Sequence, residues 1–210
     1  DKARVPKTDV DQYEKLAAPV NKGRVCTRSG SHPYNLSLFG AMVEHLGAEK
    51  AEVWLKGLVT NMARAPKGGD TDQIKAVAAG ECGVALANTY YVARLLRSTK
   101  PEEIKLMEKV GVVWPNQSTT GSHINVSGGG MLKTAPHKEA AVKFLEYLVS
   151  DQAQRYFADG NNEWPVVENL KVANPALESL GTFKADKLPV KNLAMYQAKA
   201  QIILDRAGFK

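Results

Sequence analysis

Three tyrosines carry the chemistry of this sequence. Tyr90 and Tyr91 are adjacent, set after the apolar run Val84-Ala85-Leu86-Ala87 and before the helix-like stretch Val92-Ala93-Arg94-Leu95-Leu96. Tyr34 follows the segment Arg28-Ser29-Gly30-Ser31-His32-Pro33. A phenol has a pKa of about 10, so an exposed tyrosine is neutral at physiological pH. A strongly charged cation or the positive end of a helix favours the phenolate. Charged oxygen suits a hard cation, whereas thiolate and imidazole suit zinc and copper. A cluster of Tyr34, Tyr90 and Tyr91 therefore points to a hard trivalent ion, with ferric iron the first candidate. The competing reading is that adjacent tyrosines fill a lobe edge with their hydroxyls hydrogen-bonded, and the pair alone does not separate the two.

The segment before Tyr34 has its own meaning. Small residues at Ser29, Gly30 and Ser31 let backbone N–H groups converge on an anion, and a following helix N-terminus adds positive potential. Arg28 supplies a bidentate fork for carboxylate, carbonate or phosphate. An ordinary helix-capping turn has the same composition.

Other chemistries find no purchase. Gly128-Gly129-Gly130 lacks both the Walker lysine-serine pattern and a full G-x-G-x-x-G fingerprint, and reads as a hinge or a tight-packing site. There is no G-x-S-x-G elbow, and Ser29, Ser31 and His32 are too close in sequence for a hydrolase triad. His32, His45, His123 and His137 are scattered; His45 falls inside a helix, and His123 precedes a lobe crossing where it could support a ligand from behind. With no nucleophile–base pair and no paired carboxylates, the chain reads as a non-enzyme. Cys26 and Cys82 have no partner at zinc-finger spacing, and two cysteines are compatible with one disulfide or with two buried thiols.

The elements that position these residues alternate. Arg24 to Thr27 reads as a strand, followed by a helix from Asn35 to Leu46 with Leu36, Phe39, Met42, Val43 and Leu46 at the 3.6 period. A helix from Ala48 to Asn61 has Val53, Trp54, Leu55, Leu58 and Val59 on its buried side. A capped helix spans Thr71 to Ala79. A strand holding Cys82 leads to the tyrosine pair and a helix to Arg97; a Pro101-started helix runs to Lys109. Val110 to Trp114 is a further strand, so the pattern predicts α/β layers on a largely parallel sheet. Beyond a polar stretch from Pro115 to Ser122 come helices at Lys138 to Val149, with Ala141, Phe144, Leu145 and Leu148 on one face, at Asp151 to Phe157, and at Leu193 to Ala207.

Composition bounds the rest. With 210 residues, 44% hydrophobic and 24% charged, the chain suits one large domain or two small lobes. No apolar stretch approaches the roughly 20 residues that span a bilayer, so no membrane insertion is expected. The net charge of +6 comes from 28 basic and 22 acidic residues without a basic block, which argues against a nucleic-acid footprint. Asp1-Lys2-Ala3-Arg4-Val5-Pro6 has no signal-peptide pattern, as in a mature secreted chain or an internal fragment.

Three segments share a resemblance. Arg24-Val25-Cys26-Thr27-Arg28-Ser29-Gly30-Ser31-His32-Pro33-Tyr34-Asn35, Gly80-Glu81-Cys82-Gly83-Val84-Ala85-Leu86-Ala87-Asn88-Thr89-Tyr90-Tyr91 and Gly121-Ser122-His123-Ile124-Asn125-Val126-Ser127-Gly128 resemble, in order and spacing, the periplasmic ferric-ion-binding proteins of bacterial ABC importers. The likeness extends over essentially the whole chain and fits the branch with a third tyrosine. It implies an α/β fold of the periplasmic-binding-protein type II, transferrin-like kind, with residues 1–123 as the main part of the C-terminal lobe. Residues 124–175 would be a segment of the N-terminal lobe after a hinge crossing, and residues 176–210 a return to the C-terminal lobe. Relatives carry a substantial portion before the point matching Asp1, so the chain is expected to be N-terminally incomplete, without any ligand that portion supplies.

The resemblance further implies that Tyr34, Tyr90 and Tyr91 ligate Fe(III). Arg28, Ser29, Gly30, Ser31 and Asn88 would hold a synergistic carbonate or phosphate. It implies a Cys26–Cys82 disulfide, a periplasmic location, a monomer, and delivery of iron to an inner-membrane ABC permease. The alternative is a solute-binding protein of the same fold for an organic anion or a polyamine, with the tyrosines stacking on the ligand.

Overall fold

A computed structural model describes residues 1–209. Its organising feature is a pair of short parallel strands, β1 (Val25–Cys26) and β2 (Val84–Ala85), in the register Val25 to Val84 and Cys26 to Ala85. The Arg24 carbonyl accepts from the Val84 N–H at 3.0 Å and the Cys26 carbonyl from the Leu86 N–H at 3.2 Å. A Cys26–Cys82 disulfide, closing a loop over 56 positions, fastens the same two segments covalently. In the chain-entropy account such a loop contributes about 4 kcal/mol.

Each strand runs into a helix. After β1 comes α1 (Pro33–Leu46), with Pro33 at its first position, where a missing N–H costs nothing. It stops at Gly47, whose φ of +78° is easy only for glycine. After β2 comes α4 (Thr89–Leu96). Between them lie α2 (Ala48–Thr60) and α3 (Asp70–Ala78), and α3 is opened by Asp72, whose carboxylate accepts from the Gly69 N–H at 2.7 Å. The chain continues through α5 (Pro101–Met107), α6 (Lys138–Leu148), α7 (Asp151–Asn161), α8 (Pro175–Ser179) and α9 (Val190–Ala207).

Two larger cores hold the helices, and a small third cluster of Cys26, Ala76, Val77 and Cys82 sits at the strands. The larger joins α1, α2 and α9 through Leu38, Phe39, Met42, Leu55, Leu58 and Leu204. The second joins Ile74 of α3, Val92 and Leu95 of α4, Met107 of α5 and Leu177 of α8. Each side chain so buried is worth about 1.5–3 kcal/mol. The two helices that carry the tyrosines are thus anchored in different cores.

Several expectations need correction. Among the described residues the sheet has two strands rather than a larger parallel set. Val110 to Trp114 is extended but pairs with no strand among the described residues; its side chains alternate, Val112 and Trp114 against the second core and Val113 against the first. Packing against both cores calls for the apolar run that reads as a strand, without a ladder. Val53 is 72% exposed, because one residue's rotation on a helix takes it away from buried Trp54. The stripe expected to be buried on α6 has no buried residue, and Phe144 is 60% exposed. Helix α8 was not foreseen, although Asn174, whose side chain accepts from the Ala176 and Leu177 N–H groups, and Pro175 form a start signal.

The polypeptide leaves the first 121 residues through Ser122 and returns at Ala185, where the two strands touch in a parallel bridge. The Ser122 N–H donates to the Lys184 carbonyl and the Asp186 N–H to the Ser122 carbonyl, both at 2.8 Å.

Candidate metal centre

Because β1 and β2 are parallel neighbours, the loops that follow them emerge at the same carboxyl edge of the sheet. Both helix N-termini, and the tyrosines in their first turns, are brought to one place by that topology. The Tyr34 and Tyr90 hydroxyls are 2.7 Å apart. The Tyr91 ring lies beside that of Tyr90, centroids 4.3 Å apart at a tilt of 31°. The residues sit at the edge of a cleft of about 1280 Å³, which Tyr34, Tyr90, Arg28, Asn88 and His123 all line. Ser127, Gly128, Glu163 and Trp164 line it as well.

The electrostatics pull in two directions. Partial burial and the hydroxyls of Tyr34 and Tyr91 push the Tyr90 pKa well above its usual value, so without a cation its proton is firmly held. Positive charge also gathers here: the Arg28 guanidinium sits 4.9 Å from the Tyr34 ring centroid, Arg94 sits 5.3 Å from that of Tyr91, and two helix N-termini point inward. For metal–oxygen bonds of about 2 Å, neighbouring oxygens of an octahedron are about 2.8 Å apart. The spacing of the Tyr34 and Tyr90 oxygens matches that edge. Among the described residues no three His, Cys, Asp or Glu side chains gather to hold a metal.

The residues expected to hold an anion divide into two sets. Ser29 and Ser31 are together, their hydroxyl oxygens 3.0 Å apart. Asn35 ties the loop down by donating to the carbonyls of Arg28 at 3.1 Å and Ser29 at 3.0 Å. Arg28 and Asn88 are already engaged: Asp70 takes the Arg28 guanidinium at 2.9 Å and the Asn88 N–H at 2.7 Å. Gly30 is buried, and a Cβ there would come within 2.7 Å of Leu204, so its missing side chain serves packing against α9. His32 caps α1 by accepting the Tyr34 N–H at 3.3 Å.

Three residues were missed or undervalued. Asp70 reads in sequence as one more acidic residue at a helix start, with nothing to reveal that it is buried. Ser37 and Tyr13 both engage His123: its Nε2 is 2.9 Å from the Ser37 hydroxyl, and its backbone N–H donates to the Tyr13 hydroxyl at 3.1 Å. Burial holds the His123 pKa down to about 4, against the pull of Asp186. His45 is 2.6 Å from Asp186, so both histidines fasten the crossing strands to α1. In the glycine run only Gly129 is in a tight place, 3.1 Å from Leu145 for an added Cβ, whereas Gly128 and Gly130 face open space.

A family profile described as "Bacterial extracellular solute-binding protein" matches residues 1–184. The chain belongs to that family. It is a family of solute-binding proteins rather than of enzymes. Iron uptake protein A2 of Synechocystis is 46% identical over 209 residues, covering 99% of this chain and 60% of its own length. The FutA (IdiA) protein of Trichodesmium, solved in complex with iron and citrate ligands, is 48% identical with a TM-score of 0.93, over 100% of this chain and 66% of its own. The ferric binding protein of Campylobacter jejuni is 35% identical with a TM-score of 0.94, again over 100% of this chain and 66% of its own. These neighbours confirm the type II periplasmic-binding-protein fold. This solute-binding chain spans about 60% of the length of the curated relatives it matches.

Proposed function

We propose that the chain captures Fe(III) in the periplasm and, as part of a monomeric solute-binding protein, presents it to an inner-membrane ABC permease. Tyr34, Tyr90 and Tyr91 bind the ion as phenolates. The observation that carries this reading is the 2.7 Å contact between the Tyr34 and Tyr90 oxygens in the first turns of two helices. Relatives named for iron uptake and ferric binding support the choice of ion.

Loading exchanges protons for metal. Each phenol gives up its proton as it ligates, and the Tyr34–Tyr90 hydrogen bond is replaced by two oxygens sharing one cation. Because Tyr90 resists ionisation on its own, the ion's charge must supply the driving force, and acid favours release. A synergistic carbonate or phosphate completes the coordination at the Ser29–Ser31 loop, with Gly30 shaping it and Arg28 and Asn88 flanking it. Closure of the cleft about the crossing strands at Ser122 and Ala185 signals loading to the permease.

Titration with ferric citrate tests the reading, since phenolate-to-iron charge transfer colours the complex. A stoichiometric visible band is expected in the wild type, and its loss in Tyr34→Phe combined with Tyr90→Phe. An undiminished band in the double variant excludes these ligands.

A further inference from the structure

Asp70 has no part in the ligand set above, yet it touches both halves of it. Its side chain is 2% exposed. One carboxylate oxygen takes the Arg28 guanidinium at 2.9 Å, and the other accepts the Asn88 N–H at 2.7 Å. Beyond Arg28 lies the Tyr34 ring, 4.9 Å from the guanidinium. Beyond Asn88 lies α4, whose first turn it begins by accepting the Tyr91 N–H at 3.2 Å. A buried carboxylate is costly unless it is paired and hydrogen-bonded, and Asp70 is both. As the first residue of α3, it also gains from that helix's positive end.

We propose that Asp70 is the positioning residue that sets the spacing of the two phenols, an internal carboxylate occupying the Arg28 and Asn88 donors. The proposal rests on the ferric reading for its function and on geometry for its form. Strand pairing fixes β1 against β2, but both tyrosines stand beyond loops that the strands do not reach. Among the described residues, Asp70 is the one side chain hydrogen-bonded to both of those loops. Neutralising Arg28 is a second consequence, since a bare guanidinium beside the phenols would repel a trivalent cation.

Asp70→Asn keeps the shape and removes the charge. Its ferric affinity is expected to fall by about 10-fold or more, and the apo melting temperature to fall as well, because the buried Arg28 charge loses its charge-assisted partner. Added bicarbonate or phosphate is expected to restore part of the loss by bridging the freed Arg28. Arg28→Gln separates geometry from charge. As a brace the pair predicts weaker iron binding that persists at saturating carbonate or phosphate, whereas loss of an anion contact alone is made good by excess anion and removal of a cation by charge alone would tighten binding. The two substitutions are expected to be non-additive in the double variant.

Wild-type affinity in Asp70→Asn, tighter binding in Arg28→Gln, or full additivity overturns the proposal. If the wild type takes up no iron, the ferric reading fails and the brace is judged in the apo protein. Asp70→Ser, too short to span both partners, is then expected to speed amide exchange at Asn88 and Tyr91 by about 10-fold or more, since exchange reports local opening. Unchanged exchange overturns it. Should either Asp70 variant fail to fold, Arg28→Gln alone decides by the sign of its effect on iron affinity at saturating carbonate or phosphate or, without iron, by whether it speeds exchange at Asn88.

Discussion

Helices α1 and α6 are built from the same pattern and meet opposite fates. Both carry large apolar residues at helical spacing: Leu36, Phe39, Met42 and Val43 in α1, and Ala141, Phe144, Leu145 and Leu148 in α6. In α1 those residues are buried beneath α2 and α9. In α6 none is buried, and the neighbouring stretch leaves Leu132 74% and Val149 56% exposed. Periodicity thus names the face that wants a cover and says nothing of what covers it. The difference matters for the site, because the covered helix holds Tyr34 in place while the uncovered one holds no tyrosine of the cluster.

The comparison can be broken at several points. The largest effect should come from the disulfide beside the strands. Reducing Cys26–Cys82 is expected to lower the unfolding free energy by about 4 kcal/mol, read as a fall in the urea midpoint under dithiothreitol. An unchanged midpoint would mean that the phenol-bearing region does not depend on that staple. Next, Leu58→Ala in the fully buried core should cost about 3 kcal/mol by denaturant unfolding.

Acid should act on the crossing strands. The pKa of half-buried His123 is held down to about 4, below an unfolded value of about 6.5, so the folded state binds fewer protons than the unfolded one between those values. Stability is therefore full above pH 6.5 and declines as pH falls towards 4, by up to about 3 kcal/mol. His123→Gln is expected to flatten that limb, and an identical pH profile in the variant would remove His123 from the account. The smallest effect belongs to the other region: Phe144→Ala should change stability by less than about 0.5 kcal/mol, as for an exposed residue. A loss comparable to that of Leu58→Ala would show that α6 is packed after all.

Much of this was legible in the sequence, for identifiable reasons. The helices were readable because α1 and α2 repeat apolar residues at the helical period and end at Gly47 and Asn61. The three tyrosines stood out through their residue type and junction positions. Their convergence rested on strand order, which no local pattern encodes, and the family resemblance supplied it. Asp70 stayed hidden because burial of a carboxylate is a tertiary fact: Gly68-Gly69-Asp70-Thr71-Asp72 reads as a capped helix start whichever aspartate turns inward. Val110 to Trp114 misled for the converse reason, since a short apolar run packed against two cores has the composition of a buried strand without its hydrogen bonds.

The central claim is that the metal donors are phenolate oxygens from the first turns of α1 and α4. Resonance Raman spectroscopy of the ferric complex, excited within its visible band, tests it most directly. Enhanced tyrosinate ring modes that weaken in Tyr34→Phe and in Tyr90→Phe are the expected result. Iron bound in stoichiometric amount without such modes, or with modes indifferent to both substitutions, would contradict it.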